Sequence, residues 1–418
     1  MLNRSVAPSF NKNFSFELPK HEVIQLTNHS DLVFLSGIQQ EVFKLEFIFK
    51  AGKWYEPKPA LSHFTAIMLE KGSAGKSSQE IAQVFDYYGA QVEVSPGYDF
   101  TSVSLYGLKK SFHEILAVFL DMLTNPSFSP DELDMQKKIF VQNLKINNEK
   151  NSFVASKLIR KNVFGSSHPY GSFVEEGSVV DLTSIELQKY FTEHFSPIEI
   201  YLIGNFESNE IIWLTKQLAS LKTTTSSENN FMVTPGLCNE KVMKEGSIQS
   251  SIRMGSRTIN RSHPDYFGML MLNHILGGYF GSRLMKNIRE EKGLTYGIYS
   301  SISPFRNDCL FSIGADVGKD KQELASIEIK KELSLLSREL ISDNELTVAK
   351  NHLLGSLQLE VANPFSSFDK IKSLRLNNLS DDYYSSLFTS IQNISPDYLR
   401  LTAEKYFSVN DFFEVAVG

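Results

Sequence analysis

The sequence predicts an α+β protein of two homologous domains, each a mixed, largely antiparallel sheet packed with helices. Three observations lead there. The chain has 418 residues, about twice the usual domain of ~100 to 200 residues. Near its middle, residues 223–230 (TTTSSENN) lack apolar periodicity and are soon followed by Pro235 and Gly236, the composition of a connector. On either side of this stretch the same kinds of element recur in the same order. The expected division is therefore residues 1–222, a linker over 223–245, and residues 246–418.

In the first half, residues 42–51 (VFKLEFIFKA) alternate as a strand does and lead into a helix over 60–71. Ser77 and Glu80 form a capping box for the next helix, and Gly89 stands where a C-terminal glycine belongs. Residues 91–95 and 100–105 read as a hairpin, and 112–123 as a helix with apolar residues at helical spacing. Ser129, Pro130 and Glu132 supply a cap, a first-turn proline and a box for a long helix. A strand over 199–203 closes the half. The second half repeats this with a strand over 248–254, helices over 266–276 and 282–292, strands over 294–300 and 310–315, and a helix over 321–336. A long helix capped by Ser342 and Glu345 follows, and SPDELDMQKK from Ser129 aligns with SDNELTVAKN from Ser342. An internal duplication accounts for both the order and the register. Interleaved helices and hairpins make each half a layer of helices on a sheet.

Composition excludes several classes of function. A hydrophobic content of 42% with 22% charged residues belongs to a folded globular chain. A net charge of -6 gives no basic footprint for nucleic acid. Cys238 and Cys309 are far apart and form no CxxC, so neither a disulfide framework nor a thiolate metal site is expected. Residues 1–19 lack the apolar core of a secretory signal, and no apolar run approaches the ~20 residues that span a bilayer. A cytoplasmic protein without membrane contact is the expectation, although a mature periplasmic form would look the same.

Residues 72–78 (GSAGKSS) mimic the end of a phosphate-binding loop. The first glycine of that motif falls on Glu70, and the stretch follows a helix where the motif requires a strand. Ser77 is better explained as a helix cap.

Residues 60–73 (ALSHFTAIMLEKGS) resemble the GLAHFLEHMLFKGT-like segment of the pitrilysin-type zinc peptidases, the inverted zincins with H-x-x-E-H on a helix. That chemistry stacks two histidines at i and i+4 on one helix face to hold zinc, with the glutamate as base toward metal-bound water. Here His63 keeps the first ligand position, Ala66 replaces the base and Ile67 replaces the second ligand. The family's third ligand, a glutamate on a long helix in a VVLEEIR-like segment, falls on Asn143 within IFVQNLK. A catalytic zinc site needs three protein ligands, so no zinc is expected in this chain, and His63 is expected to be a helix residue hydrogen-bonded locally.

The resemblance covers nearly the whole chain, including HPYG at 168–171 and LIGNF at 202–206. It is strongest over 276–300, LGGYFGSRLMKNIREEKGLTYGIYS, which is similar throughout to the family's second-domain segment carrying an Arg/Tyr pair. The pair falls on Arg289 and Tyr296. Arg289 is expected in the last turn of a helix ended by Gly293, and Tyr296 on the strand that follows. The resemblance implies the fold of the processing peptidases and LuxS-type metallohydrolases, and for this pair a role at a zinc site in an opposing domain: tyrosine donating to the developing oxyanion, arginine holding substrate backbone. Favourable placement of Arg against the helix macrodipole and ordinary strand packing of Tyr explain the same residues without function. Gly277, Gly278 and Gly281 are assigned to a tight turn.

Family members build a closed chamber from four homologous domains, in one chain or as a dimer. With the zinc set lost and the Arg/Tyr pair present, the resemblance implies a non-catalytic subunit of a heterodimeric peptidase. Its partners would be a homologous H-x-x-E-H-containing subunit that holds the zinc, and peptide substrates; alone, the chain would be a possible homodimer. A purely structural or interaction subunit is the alternative.

Overall fold

The computed structural model describes residues 16–222 and 229–418. Most of the serine-rich stretch read as a connector, residues 223–228, and the start of the chain, residues 1–15, lie outside the described residues. Two sheets organise the rest. The first contains β1 (Glu22–Gln25), β2 (Asp31–Leu35), β3 (Val42–Phe49), β4 (Gln91–Pro96), β5 (Thr101–Leu108) and β6 (Pro197–Ile203), in the order β1-β2-β6-β3-β5-β4. The second contains β7 (Asn239–Val242), β8 (Gln249–Arg257), β9 (Thr295–Pro304), β10 (Cys309–Gly318) and β11 (Phe413–Val417), in the order β7-β11-β8-β10-β9. Removing β1 makes the two orders identical. Even the single parallel pairing recurs in the same place, β2 with β6 and β7 with β11, while the other neighbours run antiparallel. The duplication expected from the order of elements is thus present in the sheets, and the α+β class holds.

Each half lends a helix to the other. On β3, side chains alternate between faces: Phe43, Leu45, Phe47 and Phe49 point into the first core, whereas Ile48 joins a separate cluster with Phe368 and Ile371 of the helix Pro364–Leu376. On that same face Glu46, only 4% exposed, accepts from Lys372 Nζ at 2.8 Å and pairs with Lys44 at 2.9 Å. Arg375 of the same helix bonds Glu199 on β6 and Asp31 on β2. The reciprocal helix, Asn151–Phe164, lies against the second sheet. Its Ile159 and Val163 share a cluster with Leu310, Val415 and Val417, and Ser156 Oγ accepts from Arg253 Nε at 3.2 Å. Gly255 on β8 allows this approach, because a Cβ there would stand 3.0 Å from Ile159 Cγ1.

Several local expectations change. The 239–242 part of the expected linker is β7, and β1, β2 and β11 were not foreseen; short strands carry too few alternations to signal themselves. The Ser77–Glu80 capping box forms and Gly89 is left-handed at φ 62. Ser129, by contrast, makes no side-chain cap, and the Glu132 carboxylate that would complete a box accepts instead from Ser78 Oγ at 2.5 Å. Ser342 does cap, through Glu345 N, but the Glu345 carboxylate turns away to Arg283. In the false phosphate loop, Ser73 Oγ already accepts from Gly75 N and Lys76 N, so those donors face a side chain of the loop itself. Among the described residues no helix is long and apolar enough to cross a membrane.

Candidate functional site

The helix Leu61–Ile67 starts at Ala60, left-handed at φ 73. Its first turn is held by Glu56, whose Oε2 accepts from Ser62 N at 3.1 Å and Ser62 Oγ at 2.7 Å. Burial raises the Glu56 pKa in spite of these bonds. His63 sits on this helix half-buried, but its environment is aromatic: its ring centroid lies 5.5 Å from Phe64 and 5.1 Å from Phe140. Among the described residues the expected local hydrogen bond is not made; the ring stands at 84° to Phe64 and 54° to Phe140 instead, and desolvation pulls its pKa below the ordinary imidazole value. Ala66 is 0% exposed and Ile67 packs against the first core. Asn143 is solvent-exposed on the helix Pro130–Asn148, and Phe140, three residues earlier, fills the space beside His63. One imidazole, a methyl and an aliphatic chain do not make a zinc site. Among the described residues no group of three or more His, Cys, Asp or Glu could hold a metal ion.

The corresponding region of the second half is open. The helix Tyr266–Asn273 runs on into a π-helical turn, His274–Gly278, and the expected helix over 282–292 is largely a second π-helical segment, Met285–Glu291. Its wide pitch shows in Lys292 N donating to Asn287 O at 3.1 Å, five residues back. Sequence periodicity does not distinguish a π turn from an α turn, and such turns occur frequently at functional sites. Gly277 is required here, since a Cβ would stand 2.6 Å from Ser300 N on β9.

Three attachments fix this backbone. His274 Nε2 and His352 Nδ1 are 3.1 Å apart, with Tyr279 stacked on His274 at 4.6 Å. Arg283 bonds Glu345 through two nitrogens at 2.8 and 2.9 Å. Asn287 Nδ2 donates to Glu328 at 3.0 Å and Glu332 at 2.7 Å.

On this support Arg289 lies within the π segment, its guanidinium 4.6 Å over the Phe280 ring. Tyr296 stands near the start of β9, the edge strand of its sheet, with 94% of its surface exposed. A groove of about 710 Å³ runs along this edge, lined among others by Gly278, Phe280, Tyr296, Gly297 and Tyr299. Arg289 reaches it through Phe280; no hydrogen bond joins Arg289 to Tyr296. Sequence reasoning singled out the Arg and Tyr but passed over Phe280 and Tyr299, whose signal was available as large aromatics beside a Gly-Gly pair and on an edge strand. In the first half β4 is likewise the edge strand.

The sequence profile of the insulinase family, peptidase family M16, matches residues 35–170, and that of the peptidase M16 inactive domain matches residues 181–353. Together they span most of the chain, which belongs to the M16 family as a member with a degenerate zinc motif. Among its relatives is an uncharacterized zinc protease of Bacillus subtilis, 26% identical over 314 residues, covering 74% of this chain and 76% of the relative. Another, from Rickettsia felis, is 23% identical over 397 residues, covering 85% and 93%. The fold is shared with a peptidase M16 inactive domain from Pseudomonas fluorescens, TM-score 0.88 at 23% identity over 96% of this chain and 98% of that one. It is shared too with a protease from Helicobacter pylori, TM-score 0.86 at 17% identity over 96% and 99%.

Proposed function

We propose that this chain is the non-catalytic subunit of a two-subunit zinc metallopeptidase, and that it supplies Arg289 and Tyr296 to peptide hydrolysis at the partner's metal site. The observation that carries this reading is the opposite fate of two regions. The zinc-motif helix keeps one ligand position, half-buried among phenyl rings, whereas a tyrosine 94% exposed stands beside an open groove with no hydrogen-bond partner among the described residues. Tyr296 shares this groove with Phe280 and Tyr299, both also exposed, and a contiguous exposed apolar patch of this kind marks a site for a second molecule.

In this reading the partner, a homologous H-x-x-E-H-containing subunit, brings zinc, water and base. The Tyr296 phenol donates to the carbonyl oxygen of the scissile bond as that oxygen becomes negative, an interaction stronger in the transition state than in the ground state. Arg289, held by Phe280, binds a backbone carbonyl of the substrate and so contributes to substrate binding as well. The cytoplasm is the proposed compartment.

The test is turnover of the assembled heterodimer. Tyr296→Phe should lower kcat by ~10² to 10³ with assembly and zinc content unchanged, the usual effect of removing one oxyanion donor. Arg289→Ala should raise KM and lower kcat. If both variants work at the wild-type rate in a correctly assembled complex, the chain is a structural wall of the chamber.

A further inference from the structure

The register of β9 contains an irregularity at the residue that matters most. Ala315 of β10 opposes Ile298, but Val317 opposes Thr295. One residue of β10, Asp316, is thus matched by two of β9, Tyr296 and Gly297. This is a β-bulge on an edge strand. Bulges bend the strand, leave ladder groups unpaired and redirect a side chain, and this one presents Tyr296 almost wholly to solvent while its neighbour Ile298 is 3% exposed.

A bulge of this kind holds its shape only if the freed backbone groups find partners. The Thr295 hydroxyl supplies them. Its Oγ1 donates to the Asp316 carbonyl at 2.7 Å and accepts from Gly297 N at 3.2 Å, with Gly297 O also at 2.9 Å. One side chain therefore ties the backbone on both sides of Tyr296 to the strand opposite. A Cβ at Gly297 would meet nothing within 4 Å, so the bulge rests on the Thr295 hydroxyl and not on a glycine.

We propose that Thr295 is the positioning residue for Tyr296: its hydroxyl fixes the two-residue bulge and thereby sets the direction of the phenol into the groove. The proposal deepens, and rests on, the reading of Tyr296 as an oxyanion donor, but its geometric part stands on the chain alone. Thr295→Val keeps the shape and removes the hydroxyl, and Thr295→Ser keeps the hydroxyl and removes the methyl.

Two measurements test it. On the isolated chain, amide hydrogen exchange at Gly297 and the rate of Tyr296 nitration should both change in Thr295→Val and return to wild-type values in Thr295→Ser, with the thermal midpoint little altered. In the assembled heterodimer, Thr295→Val should lower kcat by up to ~10²-fold, the scale of a misplaced catalytic group, with KM nearly constant, and Thr295→Ser should restore it. Wild-type exchange and nitration in Thr295→Val overturn the positioning role whatever the turnover shows. A changed bulge with unchanged turnover, while Tyr296→Phe is impaired, also overturns it, because Tyr296 would then act without that support. Full activity of Tyr296→Phe defeats the underlying reading instead, and the exchange and nitration results still decide whether Thr295 sets the geometry.

Discussion

The helix Leu61–Ile67 and the edge strand β9 carry the two segments in which the resemblance to the family's zinc peptidases is read, and their surroundings differ. On the helix, the polar positions became Ala66 and Ile67, and the cavity closed around His63 with Phe140 and Phe64. On β9, Tyr296 remains exposed, and the π-helical backbone beside it is tied down by Arg283, Asn287 and the His274–His352 pair. Ala66 and Ile67 pack into the first core, while Asn143 stands in solvent.

Breaking the first half of this contrast should have the largest effect. Ala66→Glu returns the family's base to a position 0% exposed. The expected cost is ~3 to 5 kcal/mol, that of an uncompensated buried charge, read as a fall in the denaturant midpoint. The same protein, like wild type, should hold much less than one zinc per chain by metal analysis. A wild-type midpoint together with bound zinc would mean that the pocket is still open.

Lys53 offers an intermediate test of how closed this half is. It lies just before the zinc-motif helix, donates to Ser172 O, and burial lowers its pKa to about 8, against opposing attraction from Glu56. The folded value lies below that of the unfolded chain, so between about 8 and the ordinary lysine value the unfolded state binds more protons. Stability from this group therefore rises with pH across that window. Lys53→Met should be the more stable protein at pH 7, and its advantage should shrink as pH climbs past 8. An advantage independent of pH would show that Lys53 is solvated.

The smallest effect compares two look-alike caps. Ser77 receives Glu80 N and completes a box, so Ser77→Ala should cost ~1 kcal/mol. Ser129 caps nothing with its side chain, and Ser129→Ala should be close to neutral in the same melting experiment. Equal losses would mean that Ser129 caps in solution.

The degree to which the sequence revealed this molecule follows the range of the interactions involved. Alternation in 42–51, the Ser77–Glu80 box and the repeat of SPDELDMQKK as SDNELTVAKN all depend on near neighbours, and each gave an element that is present. The box at Ser129 looked identical in sequence, yet its serine makes no side-chain cap and the Glu132 carboxylate accepts from Ser78, 54 residues away. His63 was legible as a lone ligand, because side-chain chemistry at 66, 67 and 143 is written in the chain, but its aromatic surroundings were not.

What the sequence by itself determined is therefore the class, the duplication and the loss of the zinc set, since residue identity settles whether a carboxylate or an imidazole is available. Tertiary structure decided the rest. The exchange of helices joins Lys372 to Glu46 across 326 residues. The bulge that turns Tyr296 outward exists only in the register of β9 against β10, and no local periodicity encodes either one. Both arise from the requirement that buried charges and freed backbone groups find partners wherever the fold brings them.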